Sequence, residues 1–157
     1  MRKIVFLDLE DTVIDEFNKV GFAALVNIPQ VKAFIEAESP DEVRLFSFAL
    51  WNDHCVKQFG FFFEERLNRA LGVKFAMADV FTTEKLFLMC RRRGLIFEDQ
   101  DECMLFHGKQ YGFQRYIELS KEFDDQEVVL LDDSVETHSI HYPNRNLRLR
   151  MVNVAEL

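Results

Sequence analysis

Two acidic pairs, far apart in the chain, are the side chains most able to do chemistry. Asp8 and Glu10 follow one apolar run near the start, and Asp132 and Asp133 follow another near the end. Clustered carboxylates repel one another unless a cation lies among them. If the two acidic pairs lie close together in the fold, they therefore indicate a site for Mg²⁺, which prefers carboxylate and carbonyl oxygens. A carboxylate is also a usable nucleophile toward a phosphate ester, and Asp8 is the candidate for that role.

The apolar runs before these acids predict two buried strands. Residues 4–7 and 128–131 are apolar at every position, which is typical of strands covered on both faces in the middle of a parallel sheet. Ligands of such sheets bind just beyond the carboxyl ends of the strands. We therefore expect Asp8 and the Asp132-Asp133 pair to form one acidic pocket, built from both ends of the sequence.

The rest of the chain alternates between helical and extended patterns, which predicts an α/β fold of three layers. Predicted helices cover residues 29–38, 51–71 with an optional break at Gly60, 84–93 and 111–123, and further predicted strands cover 43–48, 103–106 and 147–154. Residues 75–80 fit either a short strand or a loop. The chain has 157 residues, which suits one domain over residues 1–157, and a large inserted domain does not fit after the first strand.

The segments around the acids resemble the motifs of the haloacid dehalogenase (HAD) superfamily of phosphohydrolases. Asp8-Leu9-Glu10-Asp11-Thr12 is similar to the first motif, a buried strand followed by Asp, any residue, Asp, any residue, Thr. Leu45-Phe46-Ser47 resembles the second motif, and Lys109 resembles the lysine of the third motif. Asp132-Asp133 resembles the fourth motif, which binds metal. The four motifs come in the family's order and span nearly the whole chain.

Within the superfamily, the chain is most similar to the capless branch that includes the RNA polymerase II tail phosphatases. The similarity lies in Leu45-Phe46-Ser47-Phe48-Ala49 and in Asp132-Asp133-Ser134-Val135-Glu136, with His141 and Asn144 after it. The resemblance implies a Rossmann-like parallel sheet with helices on both faces and no large cap. It also implies a phosphorylated substrate, which is a phosphoprotein, a nucleotide or a nucleic-acid end.

By this resemblance, the site residues take separate roles in a Mg²⁺-dependent phosphatase. Asp8 is the nucleophile that forms a phospho-aspartate, and Glu10 occupies the position of the acid and base. The implied metal ligands are Asp8, the backbone carbonyl of Glu10, and one of Asp132 and Asp133. The implied phosphate-binding residues are Ser47, Phe48 and Lys109.

Two positions leave alternatives open. Glu10 is one methylene longer than the family's Asp, and a misplacement of about 1 Å can cost on the order of 100-fold in rate. The chain is therefore either a phosphatase, with His107 as a second candidate proton carrier, or a non-catalytic relative that binds phosphate, metal or a protein partner. For the phosphate-binding lysine, Lys85 and Lys121 compete with Lys109.

The composition of the chain limits the binding partners and the cellular location that we expect for it. The net charge of −8 argues against general nucleic-acid binding through a basic surface. No stretch approaches the roughly 20 apolar residues that span a bilayer, so we expect no membrane partner. Cys55, Cys90 and Cys103 have neither close pairing nor metal-ligand spacing in the sequence, which favours reduced structural thiols and a cytoplasmic location.

Overall fold

The computed structural model describes residues 1–157, and its centre is a sheet built on the apolar runs of the sequence. The strands are β1 (Arg2–Leu7), β2 (Glu42–Leu45), β3 (Gln126–Asp132), β4 (His138–Tyr142) and β5 (Leu147–Asn153). Their order across the sheet is β2-β1-β3-β5-β4. All neighbours are parallel except the edge strand β4, which is antiparallel to β5. The structure thus confirms the predicted α/β class with a mostly parallel sheet.

Helices cover both faces of the sheet. The helices are α1 (Ile28–Glu38), α2 (Asp53–Phe62), α3 (Glu64–Leu71), α4 (Thr83–Arg92) and α5 (Gln100–Leu119). Successive strand residues point to opposite faces, so Val5 packs with α1, α2 and α3, whereas Phe6 packs with α4 and α5. Each such large side chain contributes roughly 1.5–3 kcal/mol when it is fully buried. The two clusters explain why residues 4–7 are apolar without alternation.

Short polar side chains and glycine set the helix ends. The Thr82 hydroxyl accepts a hydrogen bond from the backbone N–H of Lys85 and begins α4. Asp99 begins α5 in the same way, through the N–H of Glu102. Gly72, at φ 68°, ends α3 in the left-handed conformation that glycine adopts without a Cβ penalty.

The predicted strand over residues 103–106 is wrong, because this segment lies inside α5. Its buried positions are Cys103, Met104 and His107, a spacing that places them on one helix face. Leu105 and Phe106 are exposed apolar residues, and they made the segment look apolar on all sides. An apolar run of four residues does not distinguish a strand from a helix by periodicity.

Other element boundaries also differ from the predictions. α5 begins well before residue 111 and carries a kink at Gly108, where φ is 65°. The break between α2 and α3 lies at Phe63 rather than at Gly60. Residues 75–80 form a loop with one parallel bridge, from Phe75 to Val43. The antiparallel strand β4 was not predicted, and β2 ends three residues before residue 48. No helix combines the length and the apolar character needed to cross a bilayer.

Candidate active site

A pocket of about 290 Å³ opens at the carboxyl ends of the central strands. The pairing of β1 with β3 sets Leu7 opposite Leu131, so the acids that follow these strands lie side by side. The pocket is lined by Asp8, Glu10, Asp11, Ser47, Phe48, Ala49, Lys109, Asp133 and Ser134. Asp132 is fully buried beside it. The structure therefore brings together all the site residues that the sequence predicted.

The loop after β1 holds Asp8 from one side. The backbone N–H groups of Thr12, Val13 and Ile14 all donate to the carbonyl of Leu9, at 3.1, 2.9 and 3.1 Å, which folds the loop into a compact turn. This turn places the Thr12 hydroxyl 3.1 Å from Oδ2 of Asp8, to which it donates. The sequence analysis assigned Thr12 no contact with Asp8, so this hydrogen bond is an addition from the structure.

Lys109 holds Asp8 from the other side and links it to the second acidic motif. Its Nζ donates to Oδ1 of Asp8 at 2.6 Å and to Oδ2 of Asp132 at 3.0 Å. The kink at Gly108 precedes Lys109 directly, so the lysine stands at the start of the second half of α5. The competing lysine Lys85 is bonded elsewhere, to the Val80 carbonyl and the Asp79 carboxylate.

Asp132 and Asp133 have different surroundings although they are adjacent. Asp132 has both carboxylate oxygens engaged, Oδ2 by Lys109 and Oδ1 by the backbone N–H of Ser134 at 2.8 Å. Asp133 is partly exposed and lines the pocket. Carboxylate oxygens of Asp8, Asp132 and Asp133 all lie within 4.8 Å of one another.

The electrostatics of the pocket favour an added cation. Burial raises the pKa of Asp8 from 3.8 to about 7, with the Lys109 cation opposing the rise and the Asp132 charge adding to it. Burial likewise raises the pKa of Asp132. Burial would lower the pKa of Lys109, but Asp8 and Asp132 outweigh it and the net pKa is raised. One lysine thus faces three clustered carboxylates, and this oxygen-only donor set fits a hard divalent ion such as Mg²⁺.

The hydroxyl of Ser47 and the backbone around it form the wall opposite the acids. Ser47 is buried, and its Oγ accepts from the N–H of Ala49 at 3.2 Å, which leaves the hydroxyl proton for another acceptor. The backbone N–H of Phe48 makes no hydrogen bond within the protein. Ser47 and Phe48 line the pocket together with Lys109, a set of residues suited to an anion.

Glu10 lines the pocket but is held by a neighbouring segment. Its Oε2 accepts a hydrogen bond of 3.1 Å from the backbone N–H of Phe17, where the 3-10 segment Phe17–Phe22 begins. This contact fixes one carboxylate oxygen. His107, the other candidate proton carrier, lies outside the pocket, because its ring nitrogens contact the Cys103 carbonyl and Nε of Arg115.

Sequence reasoning missed the role of Gly112. Gly112 lies one turn after Lys109 on α5, and a Cβ added there would lie 2.9 Å from Cζ of the Phe48 ring. That ring in turn lies under the Lys109 ammonium, with 5.5 Å between Nζ and the ring centroid. A glycine within a helix, three residues after a candidate lysine, was the available signal.

Comparison with protein-family models, curated proteins and solved structures finds no match for this chain. The fold and the site therefore define its class by themselves: an α/β protein with an acidic, lysine-containing pocket at the carboxyl edge of a mostly parallel sheet.

Proposed function

We propose that this chain is a phosphoric monoester hydrolase, a Mg²⁺-dependent phosphatase that acts through a phospho-aspartate on Asp8. The observation that carries the proposal is the Lys109 ammonium, which bridges Oδ1 of Asp8 and Oδ2 of Asp132 in a pocket that also holds Ser47. The proposed fold is the Rossmann-like type of the HAD superfamily without a large cap. The substrate is a phosphoprotein, a nucleotide or a nucleic-acid end.

Asp8 is the proposed nucleophile because its carboxylate is held on both oxygens at the floor of the pocket. An oxygen of Asp8 attacks the phosphorus, and the bond from phosphorus to the leaving oxygen breaks. Glu10 supplies the proton that the leaving oxygen takes. Glu10 then removes a proton from water, which attacks the phospho-aspartate and releases inorganic phosphate.

The phosphate oxygens are held by donors around the pocket. Lys109 supplies a full positive charge beside the attacking carboxylate and so reduces its repulsion from the phosphate dianion. The Ser47 hydroxyl and the free N–H of Phe48 donate to phosphate oxygens. These interactions position the phosphoryl group and stabilise its charge, which are the terms that dominate phosphoryl transfer.

The residues that would hold Mg²⁺ are Asp8, Asp133 and the backbone carbonyl of Glu10. Asp133 is assigned rather than Asp132, because Asp133 is partly exposed and lines the pocket, whereas Asp132 is fully buried beside it. When bound, the ion supplies positive charge that offsets the clustered carboxylates and the incoming phosphate.

The test is hydrolysis of p-nitrophenyl phosphate in the presence of Mg²⁺. We expect turnover by the wild-type chain and a loss on the order of 10³-fold or more for Asp8→Asn, because the nucleophile is gone. Asp53→Asn is the control, since Asp53 is an exposed aspartate outside the pocket. Turnover that survives Asp8→Asn would exclude the proposed intermediate.

The second candidate is a non-catalytic protein that binds a phosphorylated ligand. The hydrogen bond from Phe17 N–H to Glu10 favours it, because a longer acid tied to a neighbouring segment is less free to transfer protons. Binding of inorganic phosphate that requires Mg²⁺ and Lys109, without turnover of any phosphorylated metabolite, nucleotide or peptide, would support this candidate.

A further inference from the structure

The structure gathers two thiols and an imidazole at a second place, inside the core between α4 and α5. Cys90, Cys103 and His107 are 0%, 0% and 4% exposed. One sulfur or nitrogen atom of each lies within 4.8 Å of the others, and Sγ of Cys103 is 3.7 Å from Nδ1 of His107. We propose that these three side chains bind one thiophilic divalent cation, with Zn²⁺ as the representative ion, independently of the acidic pocket.

Helix geometry makes the three side chains converge. Cys103 and His107 are four residues apart on α5 and therefore lie on the same face. Cys90 is in the last turn of α4, which packs against α5, and it supplies the third group across the helix contact. The residues were not expected to form a site, because the two cysteines are thirteen residues apart in the sequence and form no close pair.

The distances and ligand types suit zinc. Tetrahedral zinc has Zn–S bonds of about 2.3 Å and Zn–N bonds of about 2.0–2.1 Å, which places sulfur and nitrogen ligands about 3.6 Å apart. The distance from Cys103 Sγ to His107 Nδ1 is 3.7 Å, which is close to that ligand-to-ligand separation. Thiolate and imidazole ligands select Zn²⁺ over Mg²⁺, whereas the acidic pocket offers only oxygen. The two sites therefore differ in the metal they select.

A cavity of about 370 Å³ borders the cluster on the side of His107. His107 and Arg115 lie in its wall, with Phe106 and Tyr111 beside them. A tetrahedral ion with three protein ligands takes water or another donor in its fourth position. The imidazole is therefore reached from solvent although it is itself buried.

Binding requires a defined rearrangement of protons and hydrogen bonds. In the metal-free chain, Nε2 of His107 accepts from Nε of Arg115 at 3.2 Å, so Nδ1 carries the proton and donates to the Cys103 carbonyl at 2.8 Å. To bind through Nδ1, the ring shifts its proton to Nε2 and gives up both contacts. The two thiols each release a proton to solvent and become thiolates. Burial raises the pKa of both thiols, that of Cys103 to about 12, and the positive charge of Arg115 only partly opposes the rise, so the thiols lose their protons only to a bound metal.

The site also has a structural consequence for the acidic pocket. His107 is the last residue before the Gly108 kink, and Lys109 follows that kink. A metal that ties His107 to Cys90 would anchor the first half of α5 against α4, immediately ahead of the lysine.

The experiment is a titration of the reduced full-length chain with Co²⁺, a spectroscopic substitute for Zn²⁺, in excess Mg²⁺ to occupy the acidic pocket. We expect a thiolate-to-cobalt charge-transfer absorption that saturates at one equivalent and disappears when Zn²⁺ is added. Cys90→Ser and Cys103→Ser should each weaken Co²⁺ binding by more than about 100-fold, beyond the usual effect of an outer partner. Cys55→Ser is the matched control and should keep the absorption.

The readout separates this proposal from the proposed phosphatase activity, because carboxylates give no such absorption. Asp133→Asn should therefore leave it unchanged. Absence of the band in the wild-type chain, or its persistence in Cys103→Ser, would overturn the proposal. The Co²⁺ absorption of the wild-type chain tests the proposal even if a cysteine variant fails to fold.

Discussion

Asp8 is held on both carboxylate oxygens, by Lys109 on Oδ1 and by Thr12 on Oδ2. A buried carboxylate costs free energy unless donors or cations compensate for the lost water, and these two contacts supply part of that compensation. The adjacent acids Asp132 and Asp133 have different surroundings. Lys109 and the Ser134 N–H donate to the two oxygens of Asp132, whereas Asp133 lines the open pocket. Two adjacent residues of one type therefore have separate expected roles.

Substitution of the two aspartates should separate those roles. Asp133→Asn should raise the half-saturating Mg²⁺ concentration by about 10-fold or more, with activity recovering at high Mg²⁺, because a metal ligand is weakened. Asp132→Asn should lower kcat by about 10- to 100-fold at saturating Mg²⁺, because Lys109 loses an anionic partner. Steady-state rates against Mg²⁺ concentration measure both, with Asp53→Asn, an exposed aspartate outside the pocket, as the control. The reverse pattern would contradict the assignment.

At the scale of elements, the ring of Phe48 is one of the contacts between the loop after β2 and the second half of α5. Phe48 lies between them, against Gly112 on one side and under the Lys109 ammonium on the other. The loop after β2 and Lys109 therefore share a contact. The absent side chain of Gly112 permits that contact, because an added Cβ would lie 2.9 Å from the ring, closer than real Cβ atoms approach.

A double-mutant cycle tests this contact. Gly112→Ala alone should lower the free energy of unfolding by about 1–3 kcal/mol and reduce turnover, because it overpacks the ring. In the Phe48→Leu background, the same change should be neutral or stabilising by up to about 1 kcal/mol, since alanine favours helix over glycine. Denaturant unfolding and steady-state rates measure the cycle.

Gly60→Ala is the matched control for this cycle, because its added Cβ would meet only the Glu64 side chain at an ordinary 3.7 Å. It should stabilise the wild-type chain. Equal effects of Gly112→Ala in the two backgrounds would mean that Phe48 and Gly112 do not interact energetically.

For the whole molecule, the acidic pocket couples stability to pH and to Mg²⁺. Burial raises the pKa of Asp8 above its unfolded value, to about 7, so the metal-free folded chain binds a proton more tightly than the unfolded chain. Stability from this group is present below pH 4 and is lost as pH rises from about 4 to about 7. The raised pKa of Asp132 acts in the same direction. Mg²⁺ must displace these protons, so its binding strengthens over the same range.

The increase in melting temperature caused by Mg²⁺ should therefore be larger at pH 8 than at pH 5. Below about pH 7, the apparent Mg²⁺ affinity should fall by about 10-fold per pH unit for each proton displaced. Thermal unfolding at several Mg²⁺ concentrations and pH values measures this. Asp8→Asn, which has no proton to displace at that position, should show a weaker pH dependence. An equal Mg²⁺ effect at pH 5 and pH 8 would contradict the linkage.

The sequence by itself determined the centre of the sheet and the meeting of the acids. Uninterrupted apolar runs can be buried only between two layers, and parallel strands bring their carboxyl ends to one edge, so Asp8 and Asp132 were placed together without coordinates. Local patterns also located most helices, since the predicted helices over residues 29–38, 51–71, 84–93 and 111–123 all overlap helices of the structure.

Only the tertiary structure decided which side chains meet across elements. Three features depend on how the elements pack against one another. They are the helical state of residues 103–106, the contact of Phe48 with Gly112, and the approach of Cys90 to Cys103 and His107. The physical reason is that periodicity along a chain reports burial and local conformation, whereas contacts between elements are set by their relative position and rotation, which no short stretch of sequence encodes.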